Sequence, residues 1–202
     1  MEKPEYPVIN SDFSGLPGTN CYCAEESAGE IRRSVSGLPL QALHLIGTGD
    51  YHYVSLFWAE RITEPFILVL FDNHPDDQPS AFGGGMLSCG SWVIDVRELP
   101  FCKGTFWIQN SGDCGIVDNL PELPVYLSID LDILSTAYAR TDWDQGEMGL
   151  DELMGMVGRI KKSRRIIGVD ICGGLSLEKG ASEEDLAINA GTTEALMGLF
   201  SD

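Results

Sequence analysis

Two short stretches of this sequence place carboxylates and an imidazole two residues apart: Asp72-Asn73-His74-Pro75-Asp76 and Ser128-Ile129-Asp130-Leu131-Asp132. Residues two apart in an extended chain face the same way, so Asp72 is co-oriented with His74, and Asp130 with Asp132. Pro75 cannot donate to a continuing ladder and turns the chain, which can bring Asp76 back toward the pair. A third polar cluster, Gly47-Thr48-Gly49-Asp50-Tyr51-His52, closes another apolar run. Asp130 follows directly on Val125-Tyr126-Leu127, where an unpaired carboxylate would be expensively desolvated. Crowded carboxylates raise one another's pKa unless something positive sits between them, and too few basic residues lie near these motifs to do so. Metal ions can. Aspartate oxygens with two histidine nitrogens form a hard, oxygen-rich set that suits Mn²⁺ better than the Cys/His tetrahedra of structural zinc. Four carboxylate charges balance two divalent ions. A water or hydroxide between such ions is a nucleophile at neutral pH, and the ions polarise the bond it attacks.

The elements that must position these residues are legible as apolar runs closed by polar or glycine-containing residues. Residues 40–46, 66–71, 105–109, 125–131 and 166–171 read as strands, and residues 8–13 add an N-terminal one. The run Phe66-Ile67-Leu68-Val69-Leu70-Phe71 does not alternate, as expected of a parallel strand covered on both faces. Helical spacing aligns Val54, Phe57, Trp58 and Ile62, and again Leu150, Leu153, Met154, Val157 and Ile160. Ser182-Glu183-Glu184-Asp185 reads as a helix start, with the helix running to about residue 199. Strands alternating with helices predict a three-layer α/β/α sandwich with a mainly parallel sheet. In such a sheet ligands bind outside the carboxyl ends of the strands, so all three polar clusters should meet on one edge. The long loop from residue 75 to 90, with Gly83-Gly84-Gly85, is of a kind that is often functional. No repeat or linker divides the chain, which predicts one metal-binding domain over residues 1–202.

Composition narrows the partners. The formal charge is −18, from 31 acidic against 13 basic residues. An acidic surface argues against nucleic acid and anionic membranes and leaves a small-molecule substrate, with a homo-oligomer open. No apolar run reaches membrane-spanning length, and Met1-Glu2-Lys3-Pro4-Glu5 lacks a signal-peptide core, so a cytoplasmic protein is expected. The six cysteines, Cys21, Cys23, Cys89, Cys102, Cys114 and Cys172, are scattered and read as reduced thiols, without a zinc or disulfide pattern.

Three motifs in one order resemble those of the arginase/ureohydrolase family. Asp72-Asn73-His74-Pro75-Asp76 resembles its Asp-Ala-His-x-Asp motif, and Ser128-Ile129-Asp130-Leu131-Asp132 its Ser-x-Asp-x-Asp motif. Gly49-Asp50-Tyr51-His52 resembles Gly-Gly-Asp-His with one residue inserted, and the likeness extends over about residues 8–199. The resemblance implies two Mn²⁺ ions, one on His52, Asp72, Asp76 and Asp130, the other on His74, Asp72, Asp130 and Asp132. It implies hydrolysis of C–N bonds in guanidino or amidine compounds by a metal-bridging hydroxide, with Asp76 relaying a proton to the departing amine. Two departures bear on specificity. Cys172-Gly173-Gly174 follows Gly168-Val169-Asp170-Ile171, putting Gly173 where relatives hold the guanidinium with a Glu. Ser88-Cys89-Gly90-Ser91 puts Cys89 where relatives carry a proton-shuttling His.

Several residues keep two readings. The inserted Tyr51 could turn His52 away, and Asp77 could take the place of Asp76. Cys89 is either a small buried hydrophobe or a thiol that acts as acid, base or nucleophile beside the metals. Asp170 is either a core carboxylate or a support of the site. His44, Phe57, Trp58, Trp92 and Trp107 read as framework residues, His44 in the core or at the surface and the aromatics in the core. Two functions besides hydrolysis fit: metal binding without turnover, and a deacetylase of the related superfold. The deacetylase pattern needs a tandem His pair, which the sequence lacks.

Overall fold

The computed structural model describes residues 6–79 and 85–201. Gly83 and Gly84 of the glycine run lie outside the described residues. Strands β1 (Val8–Asn10), β2 (Leu43–Gly47), β3 (Phe66–Phe71), β4 (Cys102–Ile108), β5 (Val125–Asp130) and β6 (Ile166–Cys172) form one sheet in the order β1-β2-β6-β5-β3-β4. Every pairing is parallel, so all six carboxyl ends lie on one edge. Helices α1 (Glu25–Ser36), α2 (Val54–Ala59) and α3 (Trp92–Arg97) cover one face. Helices α4 (Cys114–Asp118), α5 (Leu150–Ser163) and α6 (Glu183–Gly198) cover the other, which makes the three layers.

Strands β3 and β5 are neighbours inside the sheet and buried along their whole length, and β3 is apolar on both faces. Leu68, Leu70 and Tyr126 face α1–α3, while Ile67, Val69, Leu127 and Ile129 face α4–α6. Helix α5 buries Leu153, Met156, Val157 and Ile160 and holds its first turn with Gly149 N–H donating to Glu152 at 2.9 Å. Helix α6 starts as its sequence predicts. Ser182 Oγ accepts from Asp185 N–H at 3.2 Å, and Asp185 accepts from Ser182 N–H at 2.9 Å. Helix α1, of 12 residues, and the short helices α3 and α4 were not anticipated from the sequence. Trp107 departs from its expected core role: it stands on edge strand β4, 36 % exposed, and its indole N–H donates to the Asp72 carbonyl at 2.8 Å.

One polar cluster is built into the core facing α2. Asp170 lies 2.8 Å from His44 Nδ1 and accepts from Tyr126 OH at 2.7 Å, and all three side chains are fully buried. His44 stacks on Trp58 with ring centroids 3.7 Å apart. Gly168 makes room for Tyr126, since a Cβ there would meet Tyr126 Cε2 at 2.6 Å. Asp170 is therefore a framework carboxylate, bound to core partners below the strand ends. Asp170→Ala would leave His44 and Tyr126 only each other, 3.4 Å apart, and should cost about 2–5 kcal/mol of stability in urea denaturation. Unchanged stability in this variant would reverse the assignment.

Candidate metal centre

Three strand ends deliver the predicted residues to one place. After β2 a single 3₁₀ turn, Gly49–Tyr51, aims His52 inward at the start of α2. The inserted Tyr51 is absorbed by that turn, so His52 is not turned away. Its Nδ1 lies 3.0 Å from Asp76 Oδ2, 3.2 Å from Asp72 Oδ2 and 3.3 Å from Asp130 Oδ2. One nitrogen cannot hydrogen-bond three carboxylates at once, and Asp72 Oδ2 is buried without a hydrogen bond. Ligands at right angles around an ion at about 2.1 Å stand about 3 Å apart, which is the spacing seen here. The other ring nitrogen, Nε2, lies 2.8 Å from Ser128 Oγ. A proton on Nε2 leaves Nδ1 free to ligate.

The second half shares Asp72. His74 Nδ1 lies 2.8 Å from Asp132 Oδ2 and 3.6 Å from Asp72 Oδ1. Backbone donors hold these carboxylates: His74 N–H to Asp72 at 2.6 Å, Asn73 N–H to Asp132 at 3.0 Å, and Asp132 N–H to Asp130 at 2.9 Å. Potential ligand groups are thus His52/Asp72/Asp76 and Asp72/His74/Asp132, and a further one, His52/Asp130/Cys172, was not anticipated. Asp76 follows Pro75 in a left-handed backbone conformation, φ 47°, which aspartate tolerates better than most residues. Trp92 Nε1 donates to Asp76 Oδ2 at 2.6 Å and fixes that carboxylate. Asp77 instead points outward to Arg97 at 2.9 Å, so Asp76 occupies the site.

The crowding shifts the titration of these groups. Burial alone would lower His52, but hydrogen bonds and charges from Asp72, Asp76 and Asp130 outweigh it and raise it well above its ordinary value. Hydrogen bonds to Asp132 and Asp72 raise His74 to about 10. Burial, with Asp132 and Asp72 as neighbours, raises Asp130 well above the carboxylate range, and burial raises Asp132 to about 6.

These groups floor a cavity of ≈ 350 Å³ whose walls include Cys89, Gln78 and Trp143. Cys89 is buried, and its thiol is pushed up by burial, then by Cys21 and Asp76, so in the metal-free protein it is a neutral thiol. Trp143 was missed by motif reading. Its indole lies across Gly49, where a Cβ would meet it at 2.9 Å, and its Nε1 donates to Asp50 at 3.2 Å. Asp50 is no ligand. Although burial opposes it, contacts with Lys179 at 2.5 Å, Cys21 at 3.2 Å and Asn20 at 2.5 Å hold its pKa below the ordinary value. Gly173 is left-handed, φ 100°, and a Cβ there would fall 1.9 Å from Asp130 Oδ1. No glutamate fits on this backbone.

Two predictions follow from this geometry. Folded-state values raised above ordinary ones mean that the folded, metal-free cluster binds more protons than the unfolded chain. Its stabilisation is therefore fully present below the ordinary carboxylate value, and is lost as pH rises through about 6 for Asp132 and about 10 for His74. The melting temperature of chelated protein should fall across that window, and less so for His74→Asn; a flat profile would refute the proton-held cluster. Gly173→Glu should displace Asp130 and lower metal content without creating arginine turnover, as checked by elemental analysis and urea release.

No protein-family model matches the chain. An uncharacterized protein of Thermotoga maritima is 32 % identical over 142 residues, covering 63 % of this chain and 56 % of its own. The chain thus spans little more than half the length of that relative. Solved structures superpose more widely. Formimidoylglutamase from Bacillus subtilis has a TM-score of 0.70 at 13 % identity, covering 99 % of this chain and 88 % of that one. Proclavaminate amidino hydrolase from Streptomyces clavuligerus gives 0.64 at 15 %, covering 87 % and 69 %, and arginase from Bacillus caldovelox 0.63 at 15 %, covering 93 % and 80 %. The parallel sheet with helices on both faces and these superpositions together identify the fold as the arginase/ureohydrolase-like α/β fold.

Proposed function

We propose that the protein is a metal-dependent hydrolase that cleaves a C–N bond in a small amidine, guanidino-like or amide compound at a centre of two divalent ions, with Mn²⁺ the expected metal. The observation that carries this reading is one imidazole nitrogen, His52 Nδ1, within 3.3 Å of carboxylate oxygens from Asp72, Asp76 and Asp130, beside a His74 group that shares Asp72. The residues fit the ions: the donors are hard, and the buried Asp72 Oδ2 has no hydrogen bond of its own. His52, Asp72, Asp76 and Asp130 would hold one ion, and His74, Asp72, Asp130 and Asp132 the other. Such a pair supplies a nucleophilic water at neutral pH and polarises the scissile bond. The named neighbours act on amidino and formimidoyl compounds, which supports C–N bonds as the target.

The chain's own residues account for the remaining steps. Trp92 holds the Asp76 carboxylate in place by its 2.6 Å bond, so Asp76 can take a proton from the attacking water and pass it to the departing nitrogen. Ser128 fixes the His52 ring. Trp143 roofs the cavity with a planar apolar surface and limits the substrate's size. Among the described residues, no carboxylate outside the proposed ligands lines the cavity, so a cationic guanidinium would meet two dications without a counter-charge. A neutral substrate avoids that repulsion. Metal binding without turnover is a second reading, and the neutral, buried Cys89 in the proton-shuttle position favours it.

Two measurements test the proposal. Wild-type protein should bind close to two Mn²⁺ per chain, and Asp72→Ala and Asp130→Ala should each lose both ions; full occupancy in either variant would refute the bridging arrangement. Urea release from arginine and agmatine by the Mn²⁺-loaded protein should be slow or undetectable. Loss of a charge-assisted bidentate contact costs about 1.5–3 kcal/mol, or roughly one to two powers of ten. Turnover of neutral amides or amidines supports hydrolysis, whereas inactivity on a broad C–N panel favours the second reading.

A further inference from the structure

Cys172 is the last side chain of β6, and it lies opposite Asp130 in the register with β5. Both residues point to the α2 side of the sheet, where His52 enters. The sulfur, an Asp130 oxygen and a His52 nitrogen all lie within 4.8 Å of one another. The same Asp130 carboxylate is 3.3 Å from His52 Nδ1, the nitrogen proposed to bind the first ion. The next residue, Gly173, turns the chain away in a left-handed conformation, so β6 offers the site one side chain, and it is a thiol. Cys172 is 1 % exposed and donates to the Thr48 carbonyl at 3.3 Å. The unbonded carboxylate oxygen behind the two-ion reading faces the same imidazole. Asp72 Oδ2 is buried without a hydrogen bond, 3.2 Å from His52 Nδ1, at the end of β3, which β5 separates from the strand of the thiol.

We propose that Cys172 ligates the His52-bound ion as a thiolate, which makes the two halves of the centre chemically unequal. The inference rests on the two-ion reading above and refines it. On binding, the S–H bond breaks, the proton leaves to solvent, and a sulfur lone pair forms the metal–sulfur bond; the hydrogen bond to Thr48 is given up. No electrons are transferred. A soft thiolate beside carboxylates shifts preference in the His52 half toward Zn²⁺ or Co²⁺, while the His74 half, with nitrogen and oxygen donors alone, keeps its preference for Mn²⁺. The His74 side chain is 34 % exposed, against 2 % for His52, so the softer half is also the drier one. A mixed Zn/Mn centre follows from this difference in donors and access.

The test uses the full chain stripped of metal and reloaded with Co²⁺, Zn²⁺ or Mn²⁺. Co²⁺ should produce a near-ultraviolet thiolate-to-metal charge-transfer band that survives in Cys21→Ser and Cys89→Ser and disappears in Cys172→Ser. X-ray absorption of the zinc form should show one sulfur at about 2.3 Å. Cys172→Ser should still bind two ions, with zinc affinity in the tight site reduced about 10–100-fold and manganese affinity less affected. Zinc binding to wild type should release one more proton than binding to the variant. Should Cys172→Ser not fold, the zinc absorption spectrum of the Cys21→Ser/Cys89→Ser double variant decides the matter. Two bound ions without a sulfur ligand would overturn the thiolate assignment and leave the two-ion reading intact. Fewer than two ions on wild type would overturn the two-ion reading itself.

Discussion

The constraint on which the rest of the structure depends is the confinement of four aspartates at the ends of buried parallel strands. Asp72, Asp76, Asp130 and Asp132 are each less than a tenth exposed. Carboxylates so close and so dry cannot all be ionised without cations among them. The metal-free fold answers with protons, drawing His52 and His74 into ion pairs and raising Asp130 and Asp132. Under the proposed two-ion reading, divalent ions would replace several of these protons at once, and binding to the folded state alone would turn their affinity into stability.

Holding the carboxylates in place falls to groups outside the cluster. Trp92 on α3 fixes Asp76, Trp107 on the edge strand fixes the Asp72 backbone, and Ser128 on β5 fixes His52. Three backbone N–H groups orient Asp72, Asp130 and Asp132. Every one of these supports comes from a strand, a helix or a strand-end turn. This is how a site gains the small positional tolerance that metal chemistry requires. Below it, the buried His44–Asp170–Tyr126 group ties β2, β5 and β6 together and adds specificity of packing where a wholly apolar interior could slip.

The departures from the ureohydrolase pattern act together. With Gly173 turned against Asp130, the Asp130 carboxylate fills the space that any side chain at position 173 would need. Trp143 fills the space over Gly49, and Asp50, bound by Lys179, Asn20, Cys21 and the Trp143 indole, anchors that roof. The result is a floor of aspartates and histidines under a wall that includes Gln78, Cys89 and Trp143. Among the described residues, that wall carries no charged side chain beyond the floor itself.

How much of this was legible in the sequence differs by element. Strands β3 and β5, the long helices α5 and α6, and the placement of Asp72, His74, Asp130 and Asp132 follow from local rules: unbroken apolar runs, helical spacing, and two-residue alternation at strand ends. Short helices such as α3 carry too few turns for periodicity to show, and Trp107 looked like core because hydrophobicity does not reveal which strand is the edge. The choice of Asp76 over Asp77 depended on Arg97, 20 residues later, capturing Asp77. That His52 enters the cluster despite the inserted Tyr51 depended on a 3₁₀ turn whose reach no motif states. The roles of Trp143, Cys172 and Gly173 arise from strand order, which makes neighbours of β5 and β6 and lays a distant loop over Gly49. The sequence by itself determined which donors stand at strand ends, because alternation and burial are local properties. Tertiary structure alone decided which of them meet and what walls them in, because strand order and loop packing bring together residues far apart in the chain.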